Sequence, residues 1–139
     1  MIGTAVFACG TGASAAEQGV TLKNPWMRMV IPSRPAAGFF TLSNSSDHVD
    51  QIIGAFSPAC GTLTLHQSVS QGGADQMVMI KSVAVPAHGS VGFAPGGYHL
   101  MCTSLAPDMK VGGSVLVTLK FGDGGTLSAD FLVRGATGR

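Results

Sequence analysis

Charged residues are scarce in this sequence of 139 residues, since only 11% of them are Asp, Glu, Lys or Arg. The formal net charge is +1, and the basic residues form no stripe that could neutralise a phosphate backbone. No apolar run reaches the roughly 18 to 20 residues that a membrane-spanning helix needs. We therefore expect neither a nucleic-acid partner nor a transmembrane segment.

The common catalytic motifs are also missing. The chain contains no Gly-x-Ser-x-Gly elbow, no Gly-x-x-x-x-Gly-Lys phosphate loop and no Cys-x-x-Cys pair. Its acidic residues are scattered in turn segments, without the close pairing that a general acid and base require. These absences predict that the protein is not an enzyme.

Residues that favour helices are few, because Glu17 is the only glutamate and the chain has 20 glycines and 7 prolines. About nine short apolar segments alternate with clusters of Gly, Pro, Asn, Asp and Ser, as in an all-β sandwich or barrel. Two segments show a clear period of two, the first with Val115, Val117, Leu119 and Phe121, the second with Leu127, Ala129, Phe131 and Val133. This period predicts half-buried antiparallel strands.

The first 16 residues differ from the rest of the chain. They are apolar and end in Ala13-Ser14-Ala15-Ala16, which is typical of a signal-peptide cleavage site. We interpret residues 1–16 as the remnant of an export signal and residues 17–139 as one domain. Cys9 is a poor lipobox cysteine because the bulky Phe7 precedes it, so we expect it to be removed with the signal and not to be lipid-anchored.

Four residues form a candidate set of soft metal ligands: His66, Met77, His99 and Met101. Residues two apart on a strand project from the same face, so His99 and Met101 can reach one ion while Leu100 points into the core. A hairpin with a Gly-Gly turn would place His66 and Met77 as near neighbours across its two strands.

Thioethers are neutral soft donors that favour Cu(I) over Zn(II) or harder cations, and imidazole also binds copper. The competing interpretation is that the methionines fill gaps in the core. Met79 shares the strand parity of Met77 and could substitute as a ligand, although packing in the core or at the rim of the site is the simpler role. Met27 and Met29 are interpreted as strand residues, and the remaining histidines, His48 and His88, as solvated turn residues.

The spacing of the four candidate ligands resembles that of a known family. It matches the pattern His-x10-Met-x21-His-x-Met of the periplasmic copper chaperones called PCuAC. Two further segments resemble that family: Asn24-Pro25-Trp26-Met27-Arg28, which is similar to its opening Trp-x-Arg strand, and Pro95-Gly96-Gly97-Tyr98-His99-Leu100-Met101.

This resemblance implies a cupredoxin-like antiparallel β-sandwich of the Greek-key type. It also implies a periplasmic protein that binds one Cu(I) ion through His66, Met77, His99 and Met101 and passes it on by ligand exchange. The acceptor in that family is the dinuclear copper centre of cytochrome c oxidase subunit II. We consider a thioredoxin-like copper protein as a second candidate partner.

Cys60 and Cys102 leave three interpretations open: a disulfide, a thiolate contribution to copper binding, or two small buried hydrophobic residues. An exported protein favours the disulfide. Strand geometry opposes it, because six extended steps place Cys60 about 20 Å from His66, whereas Cys102 adjoins Met101. Cys102 shares the parity of Leu100 and is therefore expected to face the core.

Two other functional classes remain as alternatives. A blue-copper-like electron carrier would share the sandwich, but it needs a cysteine thiolate that is soon followed by a histidine. No histidine follows Cys102. The third class is a metal-free structural β-sandwich, in which His99 and Met101 would have no role in binding.

Overall fold

The structure is a computed structural model that describes residues 19–138, and all regular secondary structure within them is β-strand. The predicted signal remnant and Cys9 lie outside these residues. No helix long and apolar enough to cross a bilayer occurs between residues 19 and 138. The ten strands are β1 Val20–Arg28, β2 Ala36–Asn44, β3 Asp50–Phe56, β4 Cys60–Gln71, β5 Ala74–Met79, β6 Val83–Val85, β7 Gly89–Phe93, β8 Tyr98–Leu105, β9 Ser114–Phe121 and β10 Thr126–Arg134.

The strands form one continuous sheet in the order β5-β4-β8-β7-β2-β1-β10-β9-β3-β6, and β8 also pairs with β2. Neighbouring strands are antiparallel except in the pairs β1–β10 and β7–β8. The sheet curls back on itself, so that β3 lies against β4 without being hydrogen-bonded to it. The two halves therefore enclose one core, as the all-β sandwich prediction required.

The core contains the apolar positions of the alternating strands. The predicted inward residues of β9 and β10 are all at most 9% exposed, whereas Leu116 and Leu132 between them are 48% and 41% exposed. Phe40 of β2 lies at the centre, with its ring 4.3 Å from that of Phe93 and 5.7 Å from that of Phe131. The period-two pattern thus predicted both strands and their buried faces correctly.

A disulfide joins Cys60 to Cys102, with their Cα atoms 5.3 Å apart, so the geometric argument against it was wrong. That argument placed Met101 level with His66, but β8 pairs Met101 with Thr64 and Cys102 with Leu63. The gap along β4 is therefore three residues, not six. As predicted, Cys102 faces the core and is 0% exposed.

Close approach of the two strands at Gly61 accompanies the disulfide. A Cβ atom at Gly61 would lie 2.6 Å from the Cβ of Ser104, which itself has a φ of 54°. We expect Gly61→Ala to lower the free energy of unfolding by about 1–3 kcal/mol, because the added methyl must push β8 away. Urea denaturation measures this change.

The matched control is Gly92→Ala in β7, where an added Cβ would meet nothing within 4 Å. Its effect on the denaturation midpoint should be small. Equal midpoints for the Gly61 and Gly92 variants would show that β4 and β8 are not held this closely in solution.

Candidate metal site

The hairpin of β4 and β5 sets the position of the two strand-borne methionines. Gly72 and Gly73 both have positive φ, 60° and 84°, which allows the tight two-residue turn that matches strand twist. Counting back from this turn pairs His66 with Met79 and Ser68 with Met77. The residue directly opposite His66 is therefore Met79, and Met77 is its diagonal neighbour, so His66 and Met77 are near neighbours across the hairpin as predicted.

On its other side, β4 pairs with β8 so that His66 lies directly opposite His99. The two imidazole rings stack with centroids 5.6 Å apart and planes inclined by 28°. Leu100 is 0% exposed and belongs to the core, as predicted, so His99 and Met101 share the opposite face of β8. The stacked histidines thus mark the middle of an outer face of the sheet.

Met77, His99 and Met101 line one open groove of about 450 Å³ on this face. Its other walls come from the segment after β1 and the start of β2, and include Val30 and Ile31. His99 is 3% exposed and Met77 is 63% exposed, so a buried imidazole and an exposed thioether border the same space. With His66 stacked on His99, the structure brings all four predicted ligands together.

Hydrogen bonding fixes which nitrogen of His99 carries a proton. Nδ1 lies 3.3 Å from the carbonyl oxygen of Gly97, and since a carbonyl only accepts, Nδ1 must donate. Nε2 then holds the free lone pair, and it is buried without a hydrogen-bond partner. A backbone carbonyl that orients a histidine in this way is typical of metal ligands.

His66 also has one nitrogen with a hydrogen-bond partner and one without, but its partner is a hydroxyl, which can donate or accept. Its Nε2 lies 2.9 Å from the Thr64 hydroxyl, and its Nδ1 is buried without a partner. Burial, and then the neighbouring imidazole of His99, lower the pKa of His66 from its ordinary value of 6.5. The ring is therefore neutral at pH 7, with a lone pair available to a cation.

Unpartnered buried nitrogens are costly, and a native protein normally satisfies them. Two such nitrogens on adjacent stacked rings, next to two thioethers, fit a soft metal ion. Among the described residues, no group of three or more His, Cys, Asp or Glu could hold a metal ion. Met77 and Met101 supply the further soft donors that line the groove with His99.

The other methionines and histidines lie elsewhere or differ in exposure. Met79 is 64% exposed, so it lies at the rim of the site and not in the core. Met27 and Met29 are 0% and 7% exposed and belong to the core. His48 and His88 are exposed loop residues, as predicted, and His88 Nε2 lies 2.7 Å from an Asp47 carboxylate oxygen.

An aromatic and arginine cluster beside the groove was missed by the sequence analysis, which named Trp26 only as part of the Trp-x-Arg strand. The Trp26 ring packs 4.9 Å from that of Phe39. The Arg28 guanidinium lies 5.4 Å from the Trp26 centroid and 5.5 Å from the Phe39 centroid, and the Arg134 guanidinium lies 5.1 Å from Trp26. The Trp-x-Arg pattern signalled two of these residues, but nothing local indicated Arg134.

Comparison with known proteins identifies a family. Residues 20–133 match the LpqE-like family, described as "Putative lipoprotein LpqE-like". The "Putative lipoprotein Lxx21020" of Leifsonia xyli is 34% identical over 109 residues, which are 78% of this chain. The chain spans 65% of the length of that relative.

Solved structures show the same architecture. The copper-bound PCuAC domain from PmoF2 matches with a TM-score of 0.73 and 23% identity, over 88% of this chain and 97% of that domain. The solution structure of CuI-DR1885 from Deinococcus radiodurans is 32% identical with a TM-score of 0.66, over 81% of this chain and 76% of that one. The cupredoxin-like fold and the resemblance to PCuAC domains are confirmed.

Proposed function

The chain belongs to the LpqE-like family, and from this premise we propose that it is a non-enzymatic copper chaperone that binds one Cu(I) ion. The proposed ligands are His66, Met77, His99 and Met101. The observation that carries the proposal is the buried, unpartnered Nε2 of His99 in a groove that two thioethers share. Two structural neighbours, the PCuAC domain from PmoF2 and DR1885, have been solved with copper bound, which supports the choice of metal.

The chemistry of the donor set selects the metal. Two neutral imidazoles and two thioethers are soft or borderline ligands, which suit Cu(I) and are poor ligands for Mg²⁺ or Ca²⁺. Zinc sites are normally built from Cys, His and carboxylates, and no such group of three occurs in residues 19–138. With no charged ligand, the ion keeps its positive charge and is held weakly enough to be given up.

The difference in exposure among the ligands suggests an order of release. Met77 is 63% exposed at the free side of the β4–β5 hairpin, whereas His99 is 3% exposed. A ligand from an acceptor can therefore replace the Met77 thioether first, while the imidazoles still hold the ion. The two histidines are then the last ligands of this chain to release the copper ion.

The proposed site of action is the periplasm. The disulfide between Cys60 and Cys102 fits an oxidising compartment outside the cytoplasm, and the matched family and the Leifsonia relative are named as lipoproteins. We propose the copper centre of cytochrome c oxidase subunit II as the acceptor and a thioredoxin-like copper protein as a second partner, both from the family resemblance.

The structure weakens both alternatives. A blue-copper site needs a cysteine thiolate, and within residues 19–138 both cysteines are consumed by the disulfide. A metal-free sandwich would bury two imidazole nitrogens without hydrogen-bond partners, and it offers no interaction that offsets the cost of burying them.

Copper transfer tests the proposal. The chain is loaded with one equivalent of Cu(I) without oxygen, freed of unbound metal, and mixed with the copper-free soluble domain of subunit II. After the two proteins are separated without oxygen, we expect metal analysis to find copper on the acceptor and a matching loss of copper from the chain. Failure to retain one equivalent would overturn the chaperone proposal, whereas retention without transfer would overturn only the choice of acceptor.

A further inference from the structure

Three arginines lie in or beside the groove, and none of them forms an ion pair with a carboxylate among the side chains that the structure describes. Arg34 lines the groove itself and is its only charged lining residue, while Arg28 and Arg134 lie beside it in the cluster with Trp26. Among the side chains that the structure describes, the one ion pair joins His88 to Asp47. The Nε atom of Arg28 is buried and has no hydrogen-bond partner.

Strand register places these cations in line with the proposed ligands. Arg134 of β10 lies next to Arg28 of β1, which pairs with Ala37 of β2, which in turn pairs with Met101 of β8. The four residues form one row across four neighbouring strands. Paired residues point to the same face of a sheet, so the guanidinium groups share the face that carries the copper ligands.

No carboxylate among the described side chains lines the groove, and the aspartate nearest to a proposed ligand in sequence is Asp75, two residues before Met77 on β5. Asp47 and Asp50 follow the Asn44 end of β2, and Asp123 lies in the turn between β9 and β10. Asp130 lies on β10 opposite Leu116, and Asp108 borders a separate hollow that Leu116 also lines. The described groove lining therefore contains one permanent cation, Arg34, and no carboxylate, although the formal net charge of the whole chain is only +1.

Apolar side chains are exposed between these cations. Val30 is 55% exposed, Ile31 is 43% exposed and Met77 is 63% exposed, and all three line the groove. An apolar centre with aromatic residues and arginine around it is the usual anatomy of a protein-binding surface.

We infer that this arginine-rimmed groove docks an acidic protein surface, namely a copper acceptor whose metal site is surrounded by Asp and Glu. The occupant rests on the proposed function, whereas the docking itself does not require copper. Unpaired guanidinium groups offer bidentate hydrogen bonds to carboxylates and steer an oppositely charged partner. Docking there places the acceptor's own ligands over Met77, the thioether that is most accessible for exchange.

Trp26 provides the readout, because it is the only tryptophan of the chain and contacts two of the arginines. Two synthetic peptides with the same His-Cys-Met core, one flanked by aspartates and the other by lysines, are titrated into the metal-free protein. At about 10 mM salt we expect the acidic peptide to shift Trp26 fluorescence and to bind at least about tenfold tighter. At about 300 mM salt the preference should largely disappear.

The combined variant Arg34→Gln, Arg134→Gln should lose this preference. Lys120→Gln removes one positive charge from β9, outside the groove lining, and should retain it. Equal binding of both peptides, or an unchanged preference in the arginine variant, would overturn the inference. So would binding of phosphatidylglycerol vesicles without binding of the acidic peptide. Since no metal is present, these outcomes are distinct from a failure of copper uptake.

Discussion

Cu(I) affinity is expected to fall by more than about a hundredfold when His99 and Met101 are both replaced by alanine. Removing an outer hydrogen-bond partner of a metal ligand already costs about 10- to 100-fold, and this double variant removes two proposed ligands. His99 supplies the buried free nitrogen, and Met101 lies on the same strand and lines the same groove. Anaerobic competition against a chromogenic Cu(I) chelator measures the change.

The control for this experiment is Met79→Ala. Met79 is as exposed as Met77 and lies directly opposite His66, but it does not line the groove with His99 and Met101. Its removal should leave the affinity nearly unchanged and the circular dichroism spectrum that of a folded β protein. A double variant that still held one equivalent as tightly as the parent chain would show that the His-x10-Met-x21-His-x-Met spacing does not mark the binding site.

Loss of the disulfide is expected to cost about 4 kcal/mol of unfolding free energy in the variant Cys60→Ala, Cys102→Ala. The bridge closes a loop with a sequence separation of 42 residues, and the chain-entropy relation gives about this value for a loop of that length. For a domain of this size, the midpoint of thermal unfolding should fall by roughly 10–20 °C. Calorimetry on chains that also carry Cys9→Ser avoids exchange with a third thiol.

Reductant provides the internal check on this prediction. Dithiothreitol should destabilise the parent chain by a similar amount and leave the alanine variant unchanged. A loss below about 1 kcal/mol in both experiments would mean that the bridge does not constrain the unfolded chain as the entropy relation assumes.

Strand identity and the membership of the candidate site could be predicted because each depends on local pattern. The alternation of Val115, Val117, Leu119 and Phe121 exposes one face and buries the other, and no distant residue is needed to see it. The two-residue spacing of His99 and Met101 likewise defines a shared face. The ligand roles themselves remain a prediction, since they rest on the spacing and on the geometry described above.

The register of neighbouring strands was harder to predict, because it depends on contacts between strands and not on the pattern within one strand. The hairpin could have been counted outward from Gly72 and Gly73, which would have placed Met79 opposite His66. The register between β8 and β4 could not have been predicted in this way, since three strands, β5, β6 and β7, lie between them along the sequence. The disulfide depends on that pairing and on the close contact of Gly61 with Ser104.

The arginine cluster could not be predicted from the local sequence pattern, for a similar reason. Arg28 and Arg134 stand next to each other only because the first and last strands pair in parallel, at opposite ends of the sequence. A pattern within one segment cannot reveal such a neighbour.

The bridge between Cys60 and Cys102 also sets an order of events in the life of the chain. Before the bridge forms, only strand pairing keeps β4 beside β8, and the position of His66 opposite His99 depends on that pairing. The closed bridge ties the same two strands together covalently and so limits how far they can separate. We therefore expect oxidative folding to come before efficient copper loading.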